Sequence, residues 1–193
     1  MVIKNAKFVK SVADSKGLPS DKPEFVFAGK SNSGKSSLIN ALVNQKRLAI
    51  SSSTPGRTRL VNFFEVNGQF YFVDLPGYGF SQSGKSAELT YSNLIEDYLG
   101  SSKRIKRVFI LIDCRNGISE NDEILIKYCY GRLPFTIICT KADKLAISKA
   151  NLNKIKIAND LGLGKDDVVL CSSTNKKGID KILDIIEGDL NAI

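Results

Sequence analysis

The stretch Gly29-Lys30-Ser31-Asn32-Ser33-Gly34-Lys35-Ser36 constrains this chain more than any other. It matches G-x-x-x-x-G-K-[ST], and its flanks limit what it can be. Before it, residues 24–28 (EFVFA) read as a short buried strand. After it, residues 35–43 place Leu38, Ile39 and Leu42 at helical spacing. A glycine-bearing turn from strand into helix curls the backbone so that successive N–H groups point inward. The helix adds the positive end of its dipole. Such a turn suits phosphate oxygens. Lys35 is expected to neutralise the outer phosphates and the Ser36 hydroxyl to ligate Mg2+.

The rest of the chain supplies the sheet such a loop needs. Residues 61–66 and 69–74 flank Asn67-Gly68, a hairpin signal. Residues 108–113 (VFILID), 135–140 (FTIICT) and 167–171 (DVVLC) are short, nearly continuous apolar runs, which suit parallel strands covered on both faces. Helical patterns lie between or after them, at 89–99, 120–131, 148–161 and 179–190. This alternation predicts a three-layer α/β fold of the P-loop type. The expected sheet is mostly parallel and six-stranded, with one antiparallel strand and helices on both faces. Residues 1–23 read as an N-terminal arm packed on a domain spanning 24–193: residues 3–12 alternate only in part, and SKGLPS at 15–20 breaks the pattern.

Composition narrows the class. A length of 193 residues with 42% hydrophobic and 25% charged residues fits one ordinary globular domain. No run of about 18 apolar residues appears, so no membrane span is expected. The first ten residues lack the apolar core and cleavage site of a signal peptide, so a cytoplasmic location is expected. The four cysteines, Cys114, Cys129, Cys139 and Cys171, show no C-x-x-C spacing and read as buried free thiols. There is no histidine, which excludes an imidazole base and weakens any zinc site. The net charge of +8 suits a polyanionic partner, nucleic acid or an anionic membrane surface, though many proteins are basic without one.

Two further motifs stand at strand ends, where ligands of α/β sheets bind. In Asp74-Leu75-Pro76-Gly77, the Asp is placed to hold Mg2+ through water, and the Gly77 N–H to approach the outermost phosphate. In Thr140-Lys141-Ala142-Asp143, the carboxylate can accept two hydrogen bonds at once from the N1–H and 2-amino group of guanine. Adenine lacks that donor pair. The Lys141 stem can cover one face of the base. Cys171, Ser172, Ser173 and the following Thr174 end the last strand-like run and can offer backbone N–H groups to the guanine carbonyl. The expected ligands are GTP and GDP with Mg2+.

These elements in this order resemble the Ras-like GTPases, over residues 29–174. Within them the chain is similar to the bacterial EngB family. The resemblance rests on GKSNSGKSSLINAL, on Ser53-Thr54-Pro55-Gly56-Arg57-Thr58, on Val73-Asp74-Leu75-Pro76-Gly77-Tyr78-Gly79 and on Thr140-Lys141-Ala142-Asp143. The last departs from the commoner Asn-Lys-x-Asp, but Thr-Lys-x-Asp is what this family uses. The resemblance implies a GTPase, expected as a monomer, that acts in assembly of the large ribosomal subunit and is needed for normal cell division and septation. It makes Thr58 the switch threonine that ligates magnesium, within a nucleotide-contacting segment Gly56, Arg57, Thr58, Arg59 and Leu60. The family usually has Gln where Arg59 stands.

Lys35, Thr58 and Gly77 are the expected catalytic groups, working by positioning and charge neutralisation. In Ras a Gln after D-x-x-G orients the attacking water. Tyr78 stands there in this chain, so slow intrinsic hydrolysis is expected. Asn32 matches a position linked in related GTPases to a bound K+, or it caps the turn of its own loop. Residues 80–88 read as a mobile second switch. The basic run Lys103-Arg104-Ile105-Lys106-Arg107 is either a solvated loop or a contact to ribosomal RNA; Arg57, Arg59, Lys85, Lys176 and Lys177 are candidates to extend it. Two rivals stay open: a P-loop ATPase or kinase, and a nucleotide-gated binding module with negligible turnover.

Overall fold

One sheet divides the interior. The computed structural model describes residues 1–14, 17–19, 21–49, 60–78 and 85–192, and for 85–92 the backbone alone. Its strands are β1 (Ala6–Val12), β2 (Glu24–Gly29), β3 (Val61–Val66), β4 (Phe70–Asp74), β5 (Ile105–Asp113), β6 (Phe135–Thr140) and β7 (Val168–Leu170). They lie in the order β1-β3-β4-β2-β5-β6-β7. β2 is parallel to β4 and β5, and β6 is parallel to β5 and β7. β3 runs antiparallel to both β1 and β4, so it is the one reversed strand.

The helices are α1 (Lys35–Leu42), α2 (Lys85–Ser101), α3 (Glu120–Cys129), α4 (Ile147–Asp160) and α5 (Ile179–Asn191). All six residues of β2 are buried, as the apolar run EFVFA requires of a strand covered on both faces. The two-residue period of a strand splits them. Val26 and Ala28 join one core layer with Tyr98 of α2, Ile126 of α3 and Ile157 of α4. Phe25 and Phe27 join the other with Leu38 and Ile39 of α1 and Ile182 and Ile186 of α5. The second layer is aromatic: Phe27 meets Phe72 edge-on at 5.1 Å and stacks on Phe109 at 5.3 Å.

The sheet has seven strands rather than the expected six. The extra strand is β1, from the N-terminal arm. A bulge between Phe8 and Lys10 interrupts its pairing with β3, which is why the sequence alternates only in part. The hairpin tip holds the residues before it: Asn67 Oδ1 accepts the N–H groups of Lys4 and Asn5 at 2.8 and 3.2 Å. β5 also begins earlier than expected, at Ile105, so part of the basic run is strand and not loop. Arg107 there donates twice to Asp189 of α5, at 2.6 and 2.7 Å, and once to Thr136 Oγ1 at 3.2 Å. This guanidinium ties the sheet to α5. All four cysteines are free and buried. Among the described residues, no helix is long and apolar enough to cross a membrane.

Parallel pairing brings the carboxyl ends of β2, β4, β5, β6 and β7 to one edge of the sheet. Each sequence motif follows one of those ends.

Candidate nucleotide site

The loop 29–36 leaves β2 and enters α1. Gly29 lies so close to β5 that a Cβ would meet the Leu111 carbonyl at 2.6 Å. Only glycine lets the strand turn there. Lys35 is buried, and its Nζ donates to the Gly29 carbonyl at 3.0 Å. Burial pushes this ammonium down from its ordinary value, and Asp74 opposes the shift. Asp74 ends β4. Burial pushes its carboxyl up to about 6 against the pull of Lys35. Among the described residues, Asp74 Oδ1 and Ser33 Oγ are buried without a hydrogen-bond partner. The unpaired Asp74 carboxylate oxygen and the hydroxyl of half-buried Ser36 are oxygen donors of the kind a hard dication such as Mg2+ prefers.

Leu75, Pro76 and Gly77 carry the chain from β4 across the loop. The Leu75 N–H continues the sheet by donating to Phe27 O at 3.0 Å. A Cβ on Gly77 would lie 2.8 Å from Lys35 Nζ and 2.8 Å from Ser31 Cα. Gly77 is therefore glycine because of close approach to the loop and its lysine. Tyr78 follows, and its carbonyl accepts the Ser31 N–H at 2.8 Å. Its side chain is buried in the core, where the phenol donates to Asp122 Oδ1 at 2.5 Å.

β6 supplies the other wall. The Thr140 hydroxyl donates to Ser33 O at 2.6 Å and reaches Ile112 O at 3.2 Å. Lys141 has φ 55°, which turns its side chain back over the loop. Its Nζ donates to Asn32 O at 2.6 Å and pairs with Asp113 at 3.0 Å. Burial raises the Asp113 carboxyl, but Arg115 and Lys141 outweigh burial and hold it at about 2. Ala142 donates to Cys171 O at 3.1 Å, which joins the β6 motif to the end of β7. Asp143 follows in a 3-10 turn. A hydrogen bond from Ser172 holds its carboxyl below the usual range, with Lys144 helping, so it is ionised and ready to accept.

Residues 29–36, 74–77, 140–143 and 171–173 are thus brought to one edge. Of the backbone N–H groups after β7, Cys171 donates to Cys139 O, Ser172 to Lys177 O and Thr174 to Ser172 Oγ. Among the described residues, Ser173 has no such internal acceptor, so it is the N–H left for a ligand. Gly56, Arg57, Thr58 and Arg59, and the run 80–84, lie outside the described residues. Leu60 is described and exposed, just before β3. Sequence reasoning missed Asp113, Arg115 and Asp122. A carboxylate at the end of an apolar strand, in register with Thr140, was the available signal for Asp113.

Comparison with known proteins agrees with this geometry. A family model described as 50S ribosome-binding GTPase matches residues 24–141. The chain is 42% identical over 188 residues to the probable GTP-binding protein EngB of Desulfosudis oleivorans, covering 96% of this chain and 95% of that one. It is 43% identical over 194 residues to the probable GTP-binding protein EngB of Fusobacterium nucleatum, covering 99% and 100%. Among solved structures it is similar to a probable GTP-binding protein engB, with a TM-score of 0.70 at 20% identity, over 86% of this chain and 98% of that one. It is also similar to Era in complex with MgGDPNP and nucleotides 1506–1542 of 16S ribosomal RNA, with a TM-score of 0.69 at 20% identity over 91% and 59%. The loop between β2 and α1, the Asp74 to Gly77 crossing and the Thr140 to Asp143 turn stand on a chain that belongs to the EngB family of GTP-binding proteins.

Proposed function

We propose that this chain is a Mg2+-dependent GTP switch that hydrolyses GTP slowly and works in assembly of the large ribosomal subunit. The observation that carries the guanine reading is Asp143. It is an ionised acceptor at the end of β6, beside two residues that already grip the phosphate loop. A carboxylate accepts from both donors on one edge of guanine, and adenine offers no such pair. That argues against the ATPase and kinase readings.

Ser36 and Thr58 would hold the metal directly and Asp74 through water. When bound, Mg2+ neutralises charge on the phosphate oxygens. Lys35 supplies a buried positive charge at the same place. The Gly77 N–H would approach the outermost phosphate, so its segment would read whether that phosphate is present. Loss of the phosphate would release that segment and the one around Thr58. Tyr78 points into the core and offers its phenol to Asp122, not to an attacking water, which supports slow turnover without a partner. Asn32 is exposed with φ 64°, a conformation asparagine tolerates, and K+ beside it would supply charge where an arginine finger is lacking.

The ribosomal partner is supported by the family description and by the charge of +8. Lys103, Arg104 and Lys106 are the part of the basic run proposed to contact ribosomal RNA, since Arg107 is engaged by Asp189. Cytoplasmic location, a monomeric state and a role in cell division and septation are proposed with it on the family resemblance.

The test is a titration with labelled GTP, GDP and ATP, followed by phosphate release with and without large ribosomal subunits. Preference for guanine nucleotides and faster release with subunits are expected. Equal affinity for ATP would overturn the guanine reading. Unchanged release, with no nucleotide-dependent co-sedimentation, would overturn the ribosomal one. Equal turnover in potassium and sodium salts removes the K+ proposal.

A further inference from the structure

The structure assigns a positioning role in the GTP reaction to Asp122 of α3, which acts on Gly77 through Tyr78. Three observations carry it. First, Tyr78 is held at both ends. Its carbonyl accepts the Ser31 N–H at 2.8 Å, and its backbone bridges in parallel to Lys30. Its phenol donates to Asp122 at 2.5 Å in a buried setting. Second, Gly77 precedes it directly and lies against Lys35, with room for no Cβ between them. Whatever fixes residue 78 fixes the peptide that faces the lysine. Third, Asp122 is itself immobilised.

The third point decides the assignment. Asp122 is 3% exposed and stands at the third position of α3. One of its oxygens, Oδ2, accepts the Ser119 N–H at 2.8 Å and the Ser119 hydroxyl at 2.6 Å, in the capping box of the helix. Capping needs only that oxygen. The other, Oδ1, is spent on a phenol 44 residues away in sequence. A bond from hydroxyl to carboxylate is charge-assisted and about twice as strong as a neutral one. Phosphoryl transfer relies on positioning, and misplacement by about 1 Å costs on the order of 100-fold in rate. The pair Asp122–Tyr78 is therefore a strut from the N-terminus of α3 to the segment that reads the outermost phosphate. It occupies the place where Ras uses a side chain on water, and uses that side chain to brace the backbone instead.

This inference rests on the GTPase reading, and the experiment separates the two. Full-length wild type, Tyr78→Phe, Asp122→Ala, the double variant and Ser119→Ala are compared for GDP affinity, affinity for a non-hydrolysable GTP analogue, and single-turnover hydrolysis. Tyr78→Phe keeps the ring and removes only the donor, so it reports even where Asp122→Ala folds poorly. Both single variants are expected to lose about tenfold in single-turnover rate and in the ratio of analogue to GDP affinity, with GDP itself within about twofold. The double variant is expected to lose no more than the worse single one, because the two groups act as a unit. Ser119→Ala removes one of the two Ser119 donors to Asp122 Oδ2 and leaves the backbone N–H and the phenol bond in place, so its loss in the affinity ratio is expected to be smaller than that of Tyr78→Phe. A wild-type ratio and rate in Tyr78→Phe overturns the assignment. So do losses that multiply in the double variant, or equal losses of GDP and analogue, which mark a merely structural role. If the wild type binds no guanine nucleotide, the GTPase reading itself falls and the assignment with it.

Discussion

The phosphate loop is held from two sides, and the two sides work in opposite directions. On the base side, side chains at the end of β6 donate to carbonyls of the loop: Thr140 to Ser33 O and Lys141 to Asn32 O, both at 2.6 Å. Their strand is in unbroken register with β5 from Phe135 to Thr140. On the outer side, the loop is the donor. Ser31 gives its N–H to the carbonyl of Tyr78, which has already left the sheet. The difference separates two tasks. The groups proposed to see what GTP and GDP share are fastened to the sheet. The groups proposed to see the third phosphate are fastened to a short crossing segment, which can change partners without disturbing the core.

The largest effect is expected where the two sides meet. Lys35→Met removes a buried ammonium that serves both, so GTP and GDP affinity should each fall on the order of 100-fold in a fluorescent-nucleotide titration. GDP affinity kept within threefold would place Lys35 on the outer side alone. Asp143→Asn comes next and belongs to the base side. It trades an acceptor pair for one donor and one acceptor. GTP and GDP should fall together by about 100-fold, while xanthosine nucleotides gain, because xanthine carries an oxygen where guanine carries its 2-amino group. A change in the ratio of GTP to GDP affinity would break the separation of sides.

Gly77→Ala acts first on the outer side. The added methyl would stand 2.8 Å from both Lys35 Nζ and Ser31 Cα, and such overpacking costs about 1–3 kcal/mol. The GTP analogue should lose about tenfold and GDP clearly less, since the displaced Lys35 serves both nucleotides. An equal loss of both nucleotides would show that the crossing segment supports the whole loop.

The two sides were unequally legible in the sequence. Gly29 to Ser36, Asp74 to Gly77 and Thr140 to Asp143 are each contiguous and follow an apolar run, so local pattern placed them at strand ends. Side-chain partners far along the chain were not legible. Asp122 reaches Tyr78, and Arg107 reaches Asp189, only after the sheet has been ordered and α3 and α5 laid on opposite faces. Nothing local distinguishes Arg107 from its basic neighbours. β1 was blurred because its bulge shifts the period of alternation. The offer of N–H groups after β7 looked fourfold, and among the described residues only that of Ser173 has no internal acceptor, since Lys177, for one, turns back to take the N–H of Ser172.

The smallest effect is expected at the far end of β2, away from both sides. Glu24 is fully buried there. Its Oε2 accepts from Tyr98 at 2.6 Å and Ser102 at 2.7 Å, and its Oε1 has no partner among the described residues. Burial pushes this carboxyl up from its ordinary value of 4.5, and the two hydroxyls and Arg104 only partly offset that. The folded chain therefore binds the proton more tightly than the unfolded one. Stability is greatest below the unfolded value and declines as pH rises from about 4.5 through the raised folded value, after which this group adds no further slope. Glu24→Gln keeps the acceptor for Tyr98 and Ser102 and sets an amide where Oε1 is unpaired. Each version has one orphan atom, and they differ in charge. Urea midpoints measured from pH 4 to pH 8 should fall with pH in the wild type more than in the variant, with nucleotide affinities equal. Parallel curves would mean that the Glu24 carboxyl titrates alike in the folded and unfolded chain. A change in the GTP to GDP ratio would mean that this end of β2 communicates with the outer side, through Tyr98 of α2, which Glu24 holds.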